Sequence, residues 1–246
     1  MNWSVAKIGT IYQKPAHTIG LSTPPIGCVL DLAGLPGGGN KMYDRSPYGN
    51  HGTITGATWV RTPGGLWCLD FDGADDYVTI PDDPSLDITT TLTALVWVNT
   101  SDVSATRVSL SKYAVTGSKR EWQIDRESAD GEVCVYFGDP ADGSYEGREV
   151  TDTAYYVNHT WLLTGFTFNA GTVVIYINGV AVASSTLGTI PASLYNGTSD
   201  VGVGSDGDLG ALWKGKLALP RIYNRALSAL EIQNHYQQEK HLFGVC

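Results

Sequence analysis

One stretch of the sequence restricts the fold more than any other. Residues 161–168 (WLLTGFTF) and 172–182 (TVVIYINGVAV) are rich in apolar, β-branched and aromatic residues. An Asn-Ala-Gly turn at residues 169–171 separates the two runs, and Asn178-Gly179 interrupts the second. Asn-Gly between apolar runs is a strong hairpin signal, because both residues tolerate a positive φ. The stretch therefore predicts paired antiparallel strands.

Similar short runs along the chain predict further strands. They cover residues 28–32, 53–60, 66–71, 77–80 and 91–98. In the last run, bulky residues occupy both parities, as expected for a strand covered on both faces. A chain of 246 residues with 29 glycines and 17% charged residues fits a single turn-rich β domain.

An acidic turn lies between two of these strands. Residues 68–81 (CLDFDGADDYVTIP) contain four carboxylates, on Asp70, Asp72, Asp75 and Asp76. Asp and Gly suit a tight turn, so the segment predicts a hairpin. Close carboxylates repel one another unless they are solvated, bonded to backbone amides or shared with a hard cation such as calcium. A solvated, capped turn and a metal site that includes Asp72 both stay open.

The composition argues against several partners and compartments. The net charge of −9 and the pI near 4.9 disfavour nucleic acid and anionic membranes, both of which need a basic surface. We find no apolar run of membrane-spanning length and no secretory signal at the start. The four cysteines are widely spaced, fit no zinc pattern and permit three disulfide pairings. We expect free, mostly buried thiols at these positions: Cys28, Cys68, Cys134 and Cys246.

Three segments in combination resemble a known family. They are DRSPYGNHGTITGATWV (44–60), GLWCLDFDGADDYVTIP (65–81) and the closing RIYNRALS (221–228). Together with the hairpin of residues 161–182, they resemble the laminin-G-like modules of the concanavalin A-like lectin and glucanase superfamily. The resemblance covers residues 28 to about 240 and implies an all-β jelly-roll β-sandwich of two antiparallel sheets with a short C-terminal helix. Ser228 followed by Glu231 predicts a capping box at the start of that helix.

Residues 1–27 fall outside the resemblance. They contain apolar residues such as Trp3 and Ile8, but also several prolines, which favour an extended chain. We interpret them as an extended N-terminal arm that either frays or docks on a neighbouring subunit or a larger assembly. Residues 28–246 are then the jelly-roll domain, which we expect to fold without the arm.

Two tryptophans are candidate ligand contacts. Trp122 and Trp213 lie among charged or glycine-rich residues, which predicts exposed indoles able to stack on a sugar ring. On the strand of Trp122, the odd positions Glu121, Gln123, Asp125 and Glu127 share one face. Asp125 and Glu127 are therefore further candidates for ligand binding.

The same strand is the place where catalytic carboxylates would be expected. Glucanases of the superfamily carry a Glu-x-Asp-x-Glu pattern on one strand, and retaining glycosidases need two carboxylates about 5 to 5.5 Å apart. Here Gln123 occupies the position two before Asp125, and a carboxamide is neither a nucleophile nor a proton donor. The sequence therefore predicts no catalytic residues, and a glycoside hydrolase is the alternative.

Calcium is the one cofactor that the resemblance suggests. Such modules often bind a structural calcium ion through an early Asp-containing turn, which Asp44 and Asn50 match. The family's acids before the closing motif are replaced by residues 217–220 (LALP). We expect calcium to be optional and no cofactor to be required. His51 in the same turn is interpreted as structural, because it has no partnered acid and nucleophile.

The sequence thus predicts a non-catalytic recognition or assembly module in one of two versions. One is a glycan-binding or protein-binding adhesion domain. The other is a structural or decoration component of an extracellular assembly, such as a virus particle, that forms a homo-oligomer or joins the virion through residues 1–27. Either version places the protein outside the cell or on a virion surface.

Overall fold

The computed structural model describes residues 25–33, 39–127 and 131–246. The first 24 residues lie outside this range, so the expectation that residues 1–27 form a docking arm stays a prediction. Within the described residues, no helix is long and apolar enough to cross a membrane.

The described chain is mostly β-structure. The strands are β1 (Cys28–Asp31), β2 (Lys41–Met42), β3 (Gly52–Thr55), β4 (Thr58–Arg61), β5 (Trp67–Asp72), β6 (Tyr77–Ile80), β7 (Thr91–Thr100), β8 (Arg107–Ala114), β9 (Lys119–Arg126), β10 (Val133–Gly138), β11 (Tyr145–Thr151), β12 (Leu162–Asn169), β13 (Thr172–Ile177), β14 (Val180–Ala181), β15 (Ser184–Gly188), β16 (Val201–Val203) and β17 (Lys214–Tyr223). The helix α1 (Ala229–Glu239) follows, and 3-10 turns occupy Pro84–Leu86 and Lys240–Phe243.

These strands form two antiparallel sheets, as predicted. The eight-stranded sheet has the order β14-β13-β12-β7-β17-β5-β4, and β1 also pairs with β17. The nine-stranded sheet has the order β15-β11-β10-β9-β8-β16-β6-β3-β2. The predicted all-β sandwich with a short C-terminal helix is confirmed.

Two apolar clusters hold the layers together. The larger one lies between the sheets and includes Trp122, Ile124 and Phe166. The second includes Trp97 of β7, Ile232 of α1 and Phe243, so it packs the helix against the outer face of the eight-stranded sheet. Strand β7 contributes to both clusters, which confirms that it is covered on both faces.

The local turn predictions agree with the structure. Asn178 and Gly179 have φ values of 51° and 81°, as the hairpin requires. Ser228 caps α1 by accepting a hydrogen bond from the backbone N–H of Glu231, whose side chain in turn accepts from Ser228. All four cysteines are free and three of them are buried, whereas Cys246 is exposed.

Two strand predictions are wrong in the same way. Residues 66–71 and 77–80 do not form a hairpin, because β5 pairs with β4 and β17 while β6 pairs with β3 and β16 in the other sheet. Residues 53–60 are likewise divided between β3 and β4, which belong to different sheets. The chain crosses from one sheet to the other at Gly56, which has a φ of 73°. A Cβ at this position would lie 1.9 Å from Asp76 Oδ1.

Candidate functional site

A row of residues crosses four neighbouring strands of the nine-stranded sheet. Gln123 on β9 lies opposite Tyr136 on β10, Tyr136 lies opposite Arg148 on β11, and Arg148 lies opposite Leu187 on β15. Direct cross-strand partners point to the same face of a sheet. Because Trp122 and Ile124 point into the core, the alternating row residues point outward.

Around this row, four side chains form a connected cluster on the outer face. Tyr136 Oη donates to Glu127 Oε2 at 2.9 Å, and Arg148 Nη1 donates to Tyr136 Oη at 2.5 Å. Arg148 also lies over the Tyr136 ring, 5.3 Å from its centre, and the Tyr145 ring lies 6.0 Å from that of Tyr136. We call Glu127, Tyr136, Tyr145 and Arg148 the tyrosine-arginine patch.

The patch is accessible, and its surroundings raise the pKa of Tyr136 and of Arg148. Tyr145 is 48% exposed, and the side chains of Glu127 and Arg148 are 25% and 27% exposed. Burial raises the pKa of Tyr136, and the nearby Cys134 and Glu127 add to the effect. Burial opposes the charge of Arg148, but Tyr136 and Glu127 outweigh it and raise the pKa of the guanidinium. The patch therefore presents a neutral phenol, a paired cation and an exposed aromatic ring.

Beside the patch, strand β9 carries a buried pair of polar side chains. Gln123 Nε2 donates to Asp125 Oδ2 at 2.9 Å, and both residues are buried. Burial raises the pKa of Asp125 well above its usual range, against the effect of the Gln123 hydrogen bond. The burial of Asp125 leaves it out of reach of a ligand that rests on the surface.

The predicted exposure of Trp122 and Trp213 is wrong. Trp122 is 1% exposed and Trp213 is fully buried. Trp122 points into the core while its polar sequence neighbours do not, and Trp213 packs beside Tyr156 with ring centres 6.0 Å apart. Neither indole offers a face on which a sugar could stack.

The predicted line of four side chains on β9 is also broken. A bulge between the Lys112–Trp122 and Tyr113–Arg120 pairs leaves Glu121 without a direct partner on β8. Glu121 Oε1 lies 2.5 Å from Lys112 Nζ and accepts the backbone N–H of Gly197 at 3.1 Å. Glu121 thus contacts Lys112 and Gly197 rather than Asp125 or Glu127.

Two of the candidate metal ligands, Asp44 and Asn50, lie in one turn. Asp44 accepts hydrogen bonds from the backbone N–H groups of Asp31, Ser46 and Asn50, at 2.8 to 2.9 Å. The Asn50 amide donates to the Val29 carbonyl at 2.9 Å. Protein donors therefore occupy the carboxylate of Asp44, which acts as the centre of a structural turn.

His51 also belongs to that turn. Its Nδ1 accepts the backbone N–H of Asp44 at 3.0 Å, as its structural interpretation requires.

Asp72 lies in a different group. Asp72, Asp75 and Asp76 each have a carboxylate oxygen within 4.8 Å of the others. Asp72 Oδ1 accepts the backbone N–H of Ala74 at 2.7 Å, and Asp76 Oδ2 accepts that of Asp72 at 2.8 Å. These bonds fit the capped acidic turn, and calcium binding there stays a prediction.

Sequence reasoning identified Glu127 but missed the other members of the patch. In residues 133–138 (VCVYFG), Val133, Val135 and Phe137 are core residues, so Tyr136 points outward. This alternation was visible in the sequence. The register that places Arg148 beside Tyr136 was not.

A concave feature lies elsewhere on the surface, outside the patch. A shallow groove of about 670 Å³ is lined by residues that include Tyr48, Asp87 and Asn224. Tyr48 is 53% exposed, similar to Tyr145. It provides a matched aromatic residue outside the patch.

Comparisons with known proteins agree with this fold. Residues 72–233, more than half of the chain, match the Laminin_G_3 family, which is described as the concanavalin A-like lectin/glucanases superfamily. A comparison with curated proteins gives no match.

Several solved structures share the fold at low sequence identity. Domain 4 of AbnA, an extracellular arabinanase from Geobacillus stearothermophilus in complex with arabinotriose, is 17% identical with a TM-score of 0.63. The match covers 84% of this chain and 97% of that domain. The binding domain of Paraclostridial Mosquitocidal Protein 1 is 17% identical with a TM-score of 0.65, over 85% of this chain and 52% of that one.

The ligand-binding domain of botulinum neurotoxin serotype D, in complex with N-acetylneuraminic acid, is 15% identical with a TM-score of 0.61. The match covers 86% of this chain and 50% of that one. The chain thus spans about half the length of the toxin domains that it matches. At such identities the likeness shows the fold alone.

Proposed function

Because the chain belongs to the Laminin_G_3 family of the concanavalin A-like lectin/glucanase superfamily, we propose that it is a non-catalytic module that binds a neutral glycan outside the cell. The observation that carries this proposal is the tyrosine-arginine patch. Tyr145 offers an exposed ring, and Glu127, Tyr136 and Arg148 provide donors and acceptors already held in place by their mutual bonds. Sugar rings have an apolar face for stacking and hydroxyl groups for such polar contacts.

The charges favour a neutral sugar over an acidic one. The guanidinium of Arg148 lies 3.4 Å from the carboxylate of Glu127, so its charge is already compensated. The net charge of −9 also repels an anionic ligand at long range. A neutral oligosaccharide does not need an uncompensated cation for binding, and the net charge of the protein does not repel it.

The arabinanase domain is the most informative comparison for this proposal. The match covers 97% of its length, and its structure contains arabinotriose, a neutral sugar. The toxin matches support ligand recognition less directly, because each leaves about half of the toxin chain uncovered. The extracellular setting of the arabinanase supports the same setting here.

The catalytic alternative and the assembly version have weaker support. The carboxylate of Glu121 is engaged with Lys112, and Asp125 is buried beside Gln123. A role in a virus particle or a homo-oligomer would act through residues 1–27, which fall largely outside the described residues.

The test is calorimetric titration of the protein with a panel of neutral oligosaccharides that includes arabinotriose, with N-acetylneuraminic acid as the anionic comparison. We expect a neutral member to bind. We expect Tyr145→Ala to weaken binding at least tenfold, equivalent to about 1.4 kcal/mol. Tyr48→Ala, the matched control, leaves binding unchanged.

Two results would contradict the proposal. Binding that is lost in Tyr48→Ala but kept in Tyr145→Ala would move the site to the groove. Absence of binding to every member of the panel would remove the glycan role.

A further inference from the structure

Four buried side chains between the sheets carry polar atoms that no described residue satisfies. They are Arg126 of β9, Thr164 of β12, and Tyr156 and Trp213 from connecting segments. Arg126, Thr164 and Trp213 are fully buried and Tyr156 is 6% exposed. Their unpaired atoms are Arg126 Nε and Nη2, Tyr156 Oη, Thr164 Oγ1 and Trp213 Nε1. We call these side chains the inner donor cluster.

The four side chains lie together. The Tyr156 and Trp213 rings are 6.0 Å apart between centres, and both residues belong to the core between the sheets. Burial and, next, the nearby Asp125 raise the pKa of Tyr156, whereas the charge of Arg126 and the nearby Ser109 and Thr164 hydroxyls oppose this rise. Tyr156 is thus at the centre of the cluster, close to Arg126 and Thr164.

Arg126 is the unusual member, because no carboxylate in the described part of the chain forms a direct ion pair with it. Asp102 and Glu127 act on its charge only from a distance, and burial lowers the pKa of the guanidinium despite them. Its Nη1 donates to the carbonyls of Val103 and Glu127, at 2.8 and 2.9 Å. Asp102 is instead bound to Arg107 at 2.8 Å, and the carboxylate of Glu127 belongs to the patch on the other face. An uncompensated buried charge costs several kcal/mol.

The chemistry of the cluster identifies its occupant. The Arg126 and Trp213 groups only donate, and the two hydroxyls can also donate. A water molecule could satisfy these hydrogen bonds but would leave the guanidinium without a counter-charge. An anion satisfies both, and the enclosed position between two sheets allows only a small one. We propose that the inner donor cluster binds one small monovalent anion of the size of chloride, which stabilises the sandwich.

The experiment is thermal unfolding at constant ionic strength while sodium chloride replaces sodium gluconate, whose anion is too large for the site. We expect a saturable rise of the unfolding temperature with chloride, since a ligand that binds the folded state stabilises it. Tyr156→Phe should raise the half-saturating chloride concentration about tenfold, the effect of losing one hydrogen bond to a charged group. Arg126→Met should remove the chloride dependence.

The matched control is Tyr113→Phe. Tyr113 is also 6% exposed but lies beside Arg120, outside the cluster. The unfolding temperature of Tyr113→Phe should depend on the chloride concentration in the same way as that of the unmodified protein. If Arg126→Met does not fold, Tyr156→Phe alone still tests the site.

A crystal grown with bromide provides the direct measurement. An anomalous peak in contact with Arg126 and Tyr156 would support the proposal. A chloride response that is absent or equal in Tyr156→Phe and Tyr113→Phe, or a water molecule at the cluster in the bromide crystal, would overturn it.

Discussion

Arg221 Nη1 lies 2.7 Å from Glu239 Oε1, so a buried ion pair joins strand β17 to the end of helix α1. Trp97 Nε1 of β7 donates to the other carboxylate oxygen of Glu239 at 2.8 Å. All three residues are buried. One carboxylate therefore links the helix to two adjacent strands of the eight-stranded sheet.

Replacing this carboxylate should strongly destabilise the folded protein. Glu239→Ala leaves the Arg221 charge and the Trp97 N–H without their partner, and breaking a buried pair typically costs about 3–5 kcal/mol. We expect a loss of this size in the free energy of unfolding, measured with urea. Gln237→Ala, an exposed position of the same helix, should change it by no more than about 0.5 kcal/mol. Equal effects of the two substitutions would contradict the linking role.

The same residue should make stability fall in acid. Burial opposes its charge, but Arg221 and His235 outweigh it and lower the pKa of Glu239 to about 2. In an unfolded chain the pKa of Glu is about 4.3. The stabilisation is therefore complete above about pH 5 and is lost as the pH falls from about 4.3 towards 2.

Unfolding temperatures measured from pH 6 to pH 2.5 check this prediction. The difference between the natural protein and Glu239→Gln should shrink across the lower half of that range. A difference that stays constant down to pH 2.5 would show that Glu239 does not titrate as expected.

No hydrolysis of β-glucans or related polysaccharides is expected. Gln123 interrupts the carboxylate pattern, and Glu121 is engaged with Lys112 at 2.5 Å. A reducing-sugar assay with concentrated protein should stay at the level of the buffer. Sugar release that disappears in Glu127→Gln would show that the chain is an enzyme.

Deletion of residues 1–26 should leave a folded sandwich. Strand β1 begins at Cys28 and pairs with β17, so the described sandwich starts beyond the deleted segment. Circular dichroism and the unfolding temperature of the truncated chain measure folding, and light scattering measures its association. An unfolded product would contradict the predicted domain boundary, and an unchanged association state would contradict the assembly role of the arm.

Features set by neighbouring residues could be predicted from the sequence. The hairpin at Asn178-Gly179 and the capping box of Ser228 and Glu231 depend on side chains within a few positions. The packing of β7 on both faces followed from its apolar residues at both parities.

Features set by distant pairing could not be predicted. The sequence of the acidic turn after Asp72 is compatible with two topologies. It can join two neighbouring strands of one sheet, or it can connect a strand of one sheet to a strand of the other. The choice depends on the pairing of β5 with β17, far along the chain. The patch likewise depends on the register that places Tyr136 opposite Arg148. Trp122 was misjudged for a local reason, because alternation turns its charged neighbours to the opposite face.

Strand β17 lies late in the chain but in the middle of its sheet, which affects folding during synthesis. It lies between β7 and β5 and also pairs with β1, so it is the strand that joins the two parts of its sheet. Its Arg221 meets Asp31 across a separation of 190 residues. While the ribosome is still making residues 200–223, β7 and β5 each present an unpaired edge to their surroundings. Nascent chains that stop before β17 should therefore aggregate, and the final closure of the sheet should be a slow, late step of folding.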